Sequence, residues 1–178
     1  GDAYVKLGVV DQGLEEFDKA AAIAPDNADV WYRTGLIMQQ LDKNDVAIER
    51  LVKALELDAK HAGARLALAQ SYLLNKELDK VKNIAISLAG QKDTAAEGQY
   101  LLGQVAIANG KNGPALLAFI KATRLDPKHA KAWLALAETY MQVGQTDRFR
   151  PTLVKAVKAN PLSFEATYKL GMLDFEAK

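Results

Sequence analysis

The chain has no cysteine, only two histidines and few aromatic residues (7%) among its 178 positions. Without cysteine there can be no disulfide framework and no thiolate chemistry, whatever the compartment. No apolar run approaches the roughly 20 residues that cross a bilayer, so no direct membrane insertion is expected. No signal peptide is visible at the start. The net charge is +1, which offers no strongly basic surface. The basic residues of the C-terminal half are not interleaved with aromatics, so no nucleic acid partner is expected. There is no glycine-rich phosphate loop between a strand and a helix, and no nucleophile stands beside a base. These absences predict a chain that is not an enzyme, with no catalytic residue, no metal and no cofactor.

What the sequence does have is a period. Pro25, Pro127 and Pro161 are separated by multiples of 34, and so are Trp31 and Trp133. Gly1, Gly35, Ala69, Gly103, Ala137 and Gly171 are all small and each is 34 residues from the next. Phe17, Leu51, Ala85, Phe119 and Leu153 keep the same frame, as do Gly8, Gly110 and Gly144. Each period holds two apolar patterns with helical spacing, for example Trp31, Gly35 and Met38 at i, i+4, i+7. A fixed period with two helices per unit is the signature of a solenoid. The frame divides the chain into a partial unit 1–27, units 28–61, 62–95, 96–129 and 130–163, and a partial unit 164–178. Because the chain starts and stops inside a unit, it reads as a fragment of a longer protein and one continuous array.

Leu136-Ala137 with Trp133 and Tyr140, Leu68-Ala69 with Tyr72, and Ala115, Phe119, Ala122 and Pro127 carry a resemblance. On them the chain resembles the tetratricopeptide repeat (TPR) family over essentially its whole length. That resemblance implies an all-α, right-handed superhelical solenoid of helix-turn-helix units. It also implies that the first helices line a concave face, to which positions 2, 5, 6, 9, 12 and 13 of each unit contribute. The residues expected there are Tyr32, Arg33, Gln39, Leu66, Gln70, Leu73, Tyr100, Gln104, Ile107, Leu134, Glu138, Met141 and Tyr168. Tyrosine offers a large face and a hydroxyl at little entropic cost, and glutamine can bond a guest backbone. Such a groove suits an extended segment or an amphipathic helix. Leu66, Leu134 and Ile107 could equally pack between neighbouring first helices.

The expected function is a non-catalytic scaffold that binds a peptide or helix of a protein partner. Alternatives are the adaptor part of a larger enzyme or of a bacterial secretion or exopolysaccharide-export assembly, and a self-assembling scaffold. The last rests on charge: residues 1–60 hold 12 acids and 7 bases, net −5, and residues 61–178 hold 10 acids and 16 bases, net +6. That asymmetry reads either as ordinary solvated helix faces or as ends suited to head-to-tail self-association. The concave positions lack the Lys, Asn and Arg clamp of chaperone-binding TPRs and the Asn ladder of sugar-transferase TPRs. A soluble module is expected, cytoplasmic or periplasmic.

The frame also sets local expectations. His61 and His129 share one repeat position and are read as solvent-exposed loop residues. Gly103 and Ala115 are expected at the crossing of the two helices of their unit. Unit 62–95 departs from the pattern: Arg65 replaces the large apolar residue, and Gly90 should end its second helix near Ala89. Pro151 should make its helix start a turn late or bend.

Overall fold

The computed structural model describes residues 10–176, so the expectations for Gly1, Tyr4, Val5 and Gly8 lie outside the described residues. Among those described, every regular element is an α-helix. The helices are α1 (Val10–Ile23), α2 (Ala28–Gln40), α3 (Asn44–Leu57), α4 (Ala62–Leu74) and α5 (Leu78–Ala89), then α6 (Ala95–Ala108), α7 (Asn112–Leu125), α8 (Ala130–Gln142), α9 (Thr146–Ala159) and α10 (Phe164–Glu176). The all-α repeat architecture is the one expected from the period. The chain forms two compact units, Gly1–Val81 and Lys82–Lys178.

In the first unit, α2 and α3 meet along Gly35, Ala47 and Leu51, all buried. A β-carbon on Gly35 would lie 2.7 Å from Leu51 Cγ, so only glycine permits this approach. Polar side chains add to the packing of α4. Gln39 Nε2 donates to Ala67 O and Ser71 Oγ, both at 2.8 Å. Asn44 Nδ2 donates to Ser71 O at 2.9 Å.

Position 4 makes one recurring bond in three of the repeats. Trp31 Nε1 donates to Pro25 O at 2.8 Å, and in the second unit Trp133 Nε1 donates to Pro127 O at 2.9 Å. Arg65 does the same with two nitrogens, donating from Nε at 3.0 Å and Nη2 at 2.6 Å to Ala59 O. The departure seen in the sequence therefore keeps the function of the residue it replaces. What the position needs is an N–H over a turn carbonyl, and a guanidinium supplies it.

The turn inside each repeat also recurs. Asp42, Lys76, Gly110 and Gly144 share one repeat position, and all have positive φ (56°, 59°, 69° and 75°). Glycine suits this left-handed conformation and the other two residues are strained in it.

In the second unit, α5 ends at Ala89 and residues 90–94 form the connection, as expected from Gly90. Thr94 Oγ1 closes this connection by donating to Leu88 O at 2.9 Å. The tightest approach is at Gly98, where a β-carbon would stand 2.2 Å from Ala89 N. Phe119, almost wholly buried, centres a core with Ala106, Ala115, Leu136 and Tyr140. A β-carbon on Gly103 would lie 2.3 Å from the Phe119 ring, so Phe119 fills the space over Gly103, with Ala115 buried in the same core. A second core joins Ala137, Leu153, Ala156 and Ala166, with Phe149 and Leu170 against it. α9 starts at Thr146 and runs through Pro151, so it does not start late. Pro151 is the sixth residue of this helix, just past the four whose N–H groups have no partner, so it removes one i→i−4 bond, to the Asp147 carbonyl.

Candidate peptide-binding surface

The first helices of the second unit bring four of the expected groove residues together. Tyr100 and Gln104 on α6, Leu134 and Glu138 on α8, with Lys131, Ala135 and Glu165, line one depression of ≈ 340 Å³. The i, i+4 spacing on each helix places these pairs on one face. Ile107 lies against the Phe119 core instead. Met141 is exposed, and Tyr168 is 57% exposed and stacked on Phe164 with ring centroids 5.8 Å apart.

Tyr100 is half-buried. Its ring centroid is 5.0 Å from that of His129 and 5.9 Å from that of Phe119, and Gln104 Nε2 donates to its hydroxyl. Burial pushes the Tyr100 phenol above its ordinary value; the Gln104 bond opposes this, and the charges of Glu97, Glu138 and Glu165 add to the rise. Glu138 pairs with Lys169 at 2.8 Å, and Glu165 lies 3.5 Å from the same ammonium. The Glu138 bond holds the Lys169 ammonium above its ordinary value, although burial opposes it.

The histidines are not exposed loop residues. His129 is 8% exposed, and His61 is partly buried. Each caps the following helix: Ala64 N–H donates to His61 Nδ1 at 3.1 Å, and Ala132 N–H donates to His129 Nδ1 at 3.2 Å. Capping residues accept the N–H groups that a helix start leaves unpaired. A ring that accepts at Nδ1 carries its proton on Nε2. That nitrogen turns to a carboxylate, His61 to Asp29 Oδ1 at 3.0 Å and His129 to Glu97 Oε2 at 3.2 Å. The second contact is off the line of a hydrogen bond, and His129 Nε2 has no better partner. The His129 contact holds the Glu97 carboxyl below its ordinary value, against the effect of burial. A tyrosine packs on each imidazole, Tyr32 on His61 at 4.6 Å and Tyr100 on His129. The set of acid, tyrosine and histidine thus occurs twice at the same repeat positions.

The first unit repeats only part of the surface. Tyr32 is half-buried beside His61 and against Gly63, where a β-carbon would lie 2.9 Å from the Tyr32 hydroxyl. The Gln39 amide is committed to α4, so Gln39 packs between first helices. Leu66 and Leu73 are half-buried, while Arg33 and Gln70 are exposed.

Lys131 and Glu165, which border the depression, were missed as site residues. Both occupy position 2 of their units, as do Asp29 and Glu97. Reading that one position along the repeats would have found all four charges. Among the described residues no three acidic or histidine side chains converge to hold a metal.

Tetratricopeptide repeat family models match residues 106–171 and residues 39–80, together more than half of the chain. The chain belongs to the tetratricopeptide repeat superfamily. TTC0263, a thermophilic TPR protein of Thermus thermophilus, superposes with a TM-score of 0.78 at 18% identity, over 97% of this chain and 94% of that one. YrrB, a TPR protein with an unusual peptide-binding site, superposes with a TM-score of 0.63 at 18% identity, over 94% of this chain and 87% of that one. In sequence, the human protein O-mannosyl-transferase TMTC3 is 26% identical over 168 residues, 90% of this chain and 18% of the relative. This TPR chain spans about a fifth or less of the length of the curated relatives it matches.

Proposed function

We propose that this TPR chain is a non-catalytic scaffold that holds an extended segment of a partner protein on the first helices of its second unit. The depression beside Tyr100 carries this reading. It joins a half-buried ring, an amide and charged groups on three successive first helices. Packed apolar contact with a few placed polar groups is what peptide recognition uses. The likeness to YrrB supports a peptide as the guest, since that protein has the same fold and a peptide-binding site. The expected residues of the first unit extend the reading to Tyr32, Arg33, Leu66, Gln70 and Leu73 as further contacts. Gln39 takes part there only by holding α4 in place. No described helix is long and apolar enough to cross a membrane.

The test is a binding comparison on the partner that the chain retains from its native extract. Gln104→Ala and Tyr168→Ala should each weaken its binding at least about tenfold, about 1.4 kcal/mol. Lys121→Ala, exposed on α7, should leave it unchanged. Equal affinities for the parent and all three variants would reject the surface.

A further inference from the structure

We infer that the segment taken up beside Tyr100 presents an arginine or lysine side chain there, held between the tyrosine ring and the Glu138 and Glu165 carboxylates. This inference rests on the peptide-binding reading above and adds the chemistry of the guest.

Three observations carry it. The first is the division of charge within the second unit. Its second helices, α7 and α9, hold Lys121, Arg124, Arg148, Arg150, Lys155 and Lys158 against one acid, Asp147. The first helices, α6, α8 and α10, place Glu97, Glu138 and Glu165 at or beside the depression, with Lys131 and Lys169. The acids therefore belong to the helices that line the depression, although the unit as a whole is basic.

The second is the fate of the aromatic rings. Trp133 carries Lys155 at 4.8 Å, and Tyr140 carries Arg148 at 5.6 Å. In the first unit Trp31 carries Arg50 at 5.1 Å and Tyr72 carries Lys80 at 4.7 Å. Four rings outside the depression, both tryptophans among them, are thus covered by cations of the chain itself. Among the described residues no cation is seated on Tyr100 or Tyr168, the two tyrosines at position 5 of the second unit's first helices.

The third is the local balance. The carboxylates of Glu138 and Glu165 line the depression beside Tyr100, and that of Glu97 meets His129, on which the Tyr100 ring packs. Lys169 is shared by two of them. Within the depression's own lining Lys131 stands against Glu138 and Glu165, an excess of one negative charge. A guanidinium satisfies such a site well, since it can bond a carboxylate with two nitrogens and lie on an aromatic face.

The experiment starts from a random decapeptide library displayed on phage and selected on the purified chain. The selected peptides are then synthesised with arginine or with citrulline, its neutral isostere, and titrated by calorimetry. Basic residues should be enriched. Citrulline should weaken binding at least about tenfold, as loss of a charge-assisted and ring-stacked contact does. Glu138→Gln with Glu165→Gln should weaken the arginine peptide as much and leave the citrulline peptide unchanged. Circular dichroism checks that this double variant stays folded. Selected peptides that need Tyr168 and Gln104 yet are acidic or purely apolar would overturn the cation and leave the peptide reading standing. Peptides indifferent to Tyr168→Ala and Gln104→Ala would overturn both.

Discussion

Gly103 and Gly171 occupy the same repeat position, two periods apart, and alanine should act on them with opposite sign. Glycine inside a helix is about 1 kcal/mol less favourable than alanine, so both substitutions begin with that gain. At Gly171 a β-carbon meets nothing within 4 Å, so the gain stands, and Gly171→Ala should stabilise by about 0.5–1 kcal/mol. At Gly103 the same carbon would lie 2.3, 2.6 and 2.7 Å from three atoms of the Phe119 ring. The ring must recede by about 1 Å to reach ordinary van der Waals distance. It cannot do so freely, because Phe119 is 1% exposed and enclosed by Ala106, Ala115, Leu136 and Tyr140. Overpacking of this kind costs about 1–3 kcal/mol; so close a contact belongs at the upper end, leaving Gly103→Ala destabilised by about 1–2 kcal/mol. For a chain of this length 1 kcal/mol moves the melting midpoint by about 2–4 °C. Thermal melts followed by circular dichroism would show the split. Amide exchange in α7 would locate it, since repeat arrays can open one part at a time. A Gly103→Ala chain that melts at or above the parent would refute the packing argument, as would a loss at Gly171.

Lys76→Gly should relieve a left-handed residue and raise stability by about 0.5–1 kcal/mol in urea unfolding, despite the greater freedom of glycine in the unfolded chain. His129→Ala should cost about 1–2 kcal/mol by removing the cap of α8, and His129→Asn should recover part of it, because asparagine also accepts from the helix start. The depressed Glu97 carboxyl contributes stability that is present above its unfolded value and is lost as pH falls through the lower folded value. Melts from about pH 5 down to 3 should therefore fall less steeply in Glu97→Gln than in the parent. Tyr100→Ala should lower the melting midpoint as well as binding, since the ring packs on Phe119 and His129; Tyr168→Ala should spare it.

The repeat frame was legible because it is written in small and large residues at fixed spacing, and packing of helix on helix requires those sizes. The end of α5 was legible in Gly90 because glycine is unfavourable inside a helix. The role of Arg65 was not, because apolar periodicity scores a cation as a loss, whereas the position is defined by a donor over a carbonyl. The histidines were misread because a residue after a helix looks like a loop residue until the next helix is seen to start on it. In the candidate surface, position 5 was read as a ring facing a guest. Two such rings, Tyr32 and Tyr100, pack instead on an imidazole. The charges at position 2 were open to reading and carry more of the site's character than the leucines do.

The pairing of Tyr100 with His129 has a mechanical consequence. The ring that borders the depression also leans on the residue from which α8 starts, so the guest site and the joint to the following repeat share one component. A side chain pressed onto Tyr100 would load that joint and damp its fluctuation. The second unit would then be stiffer when occupied than when empty, with the stiffening passed from one repeat to the next through a side chain. Slower amide exchange at Ala132, the N–H held by His129, on addition of a bound peptide would register it at the joint itself. Unchanged exchange there would show that the ring yields without moving the cap.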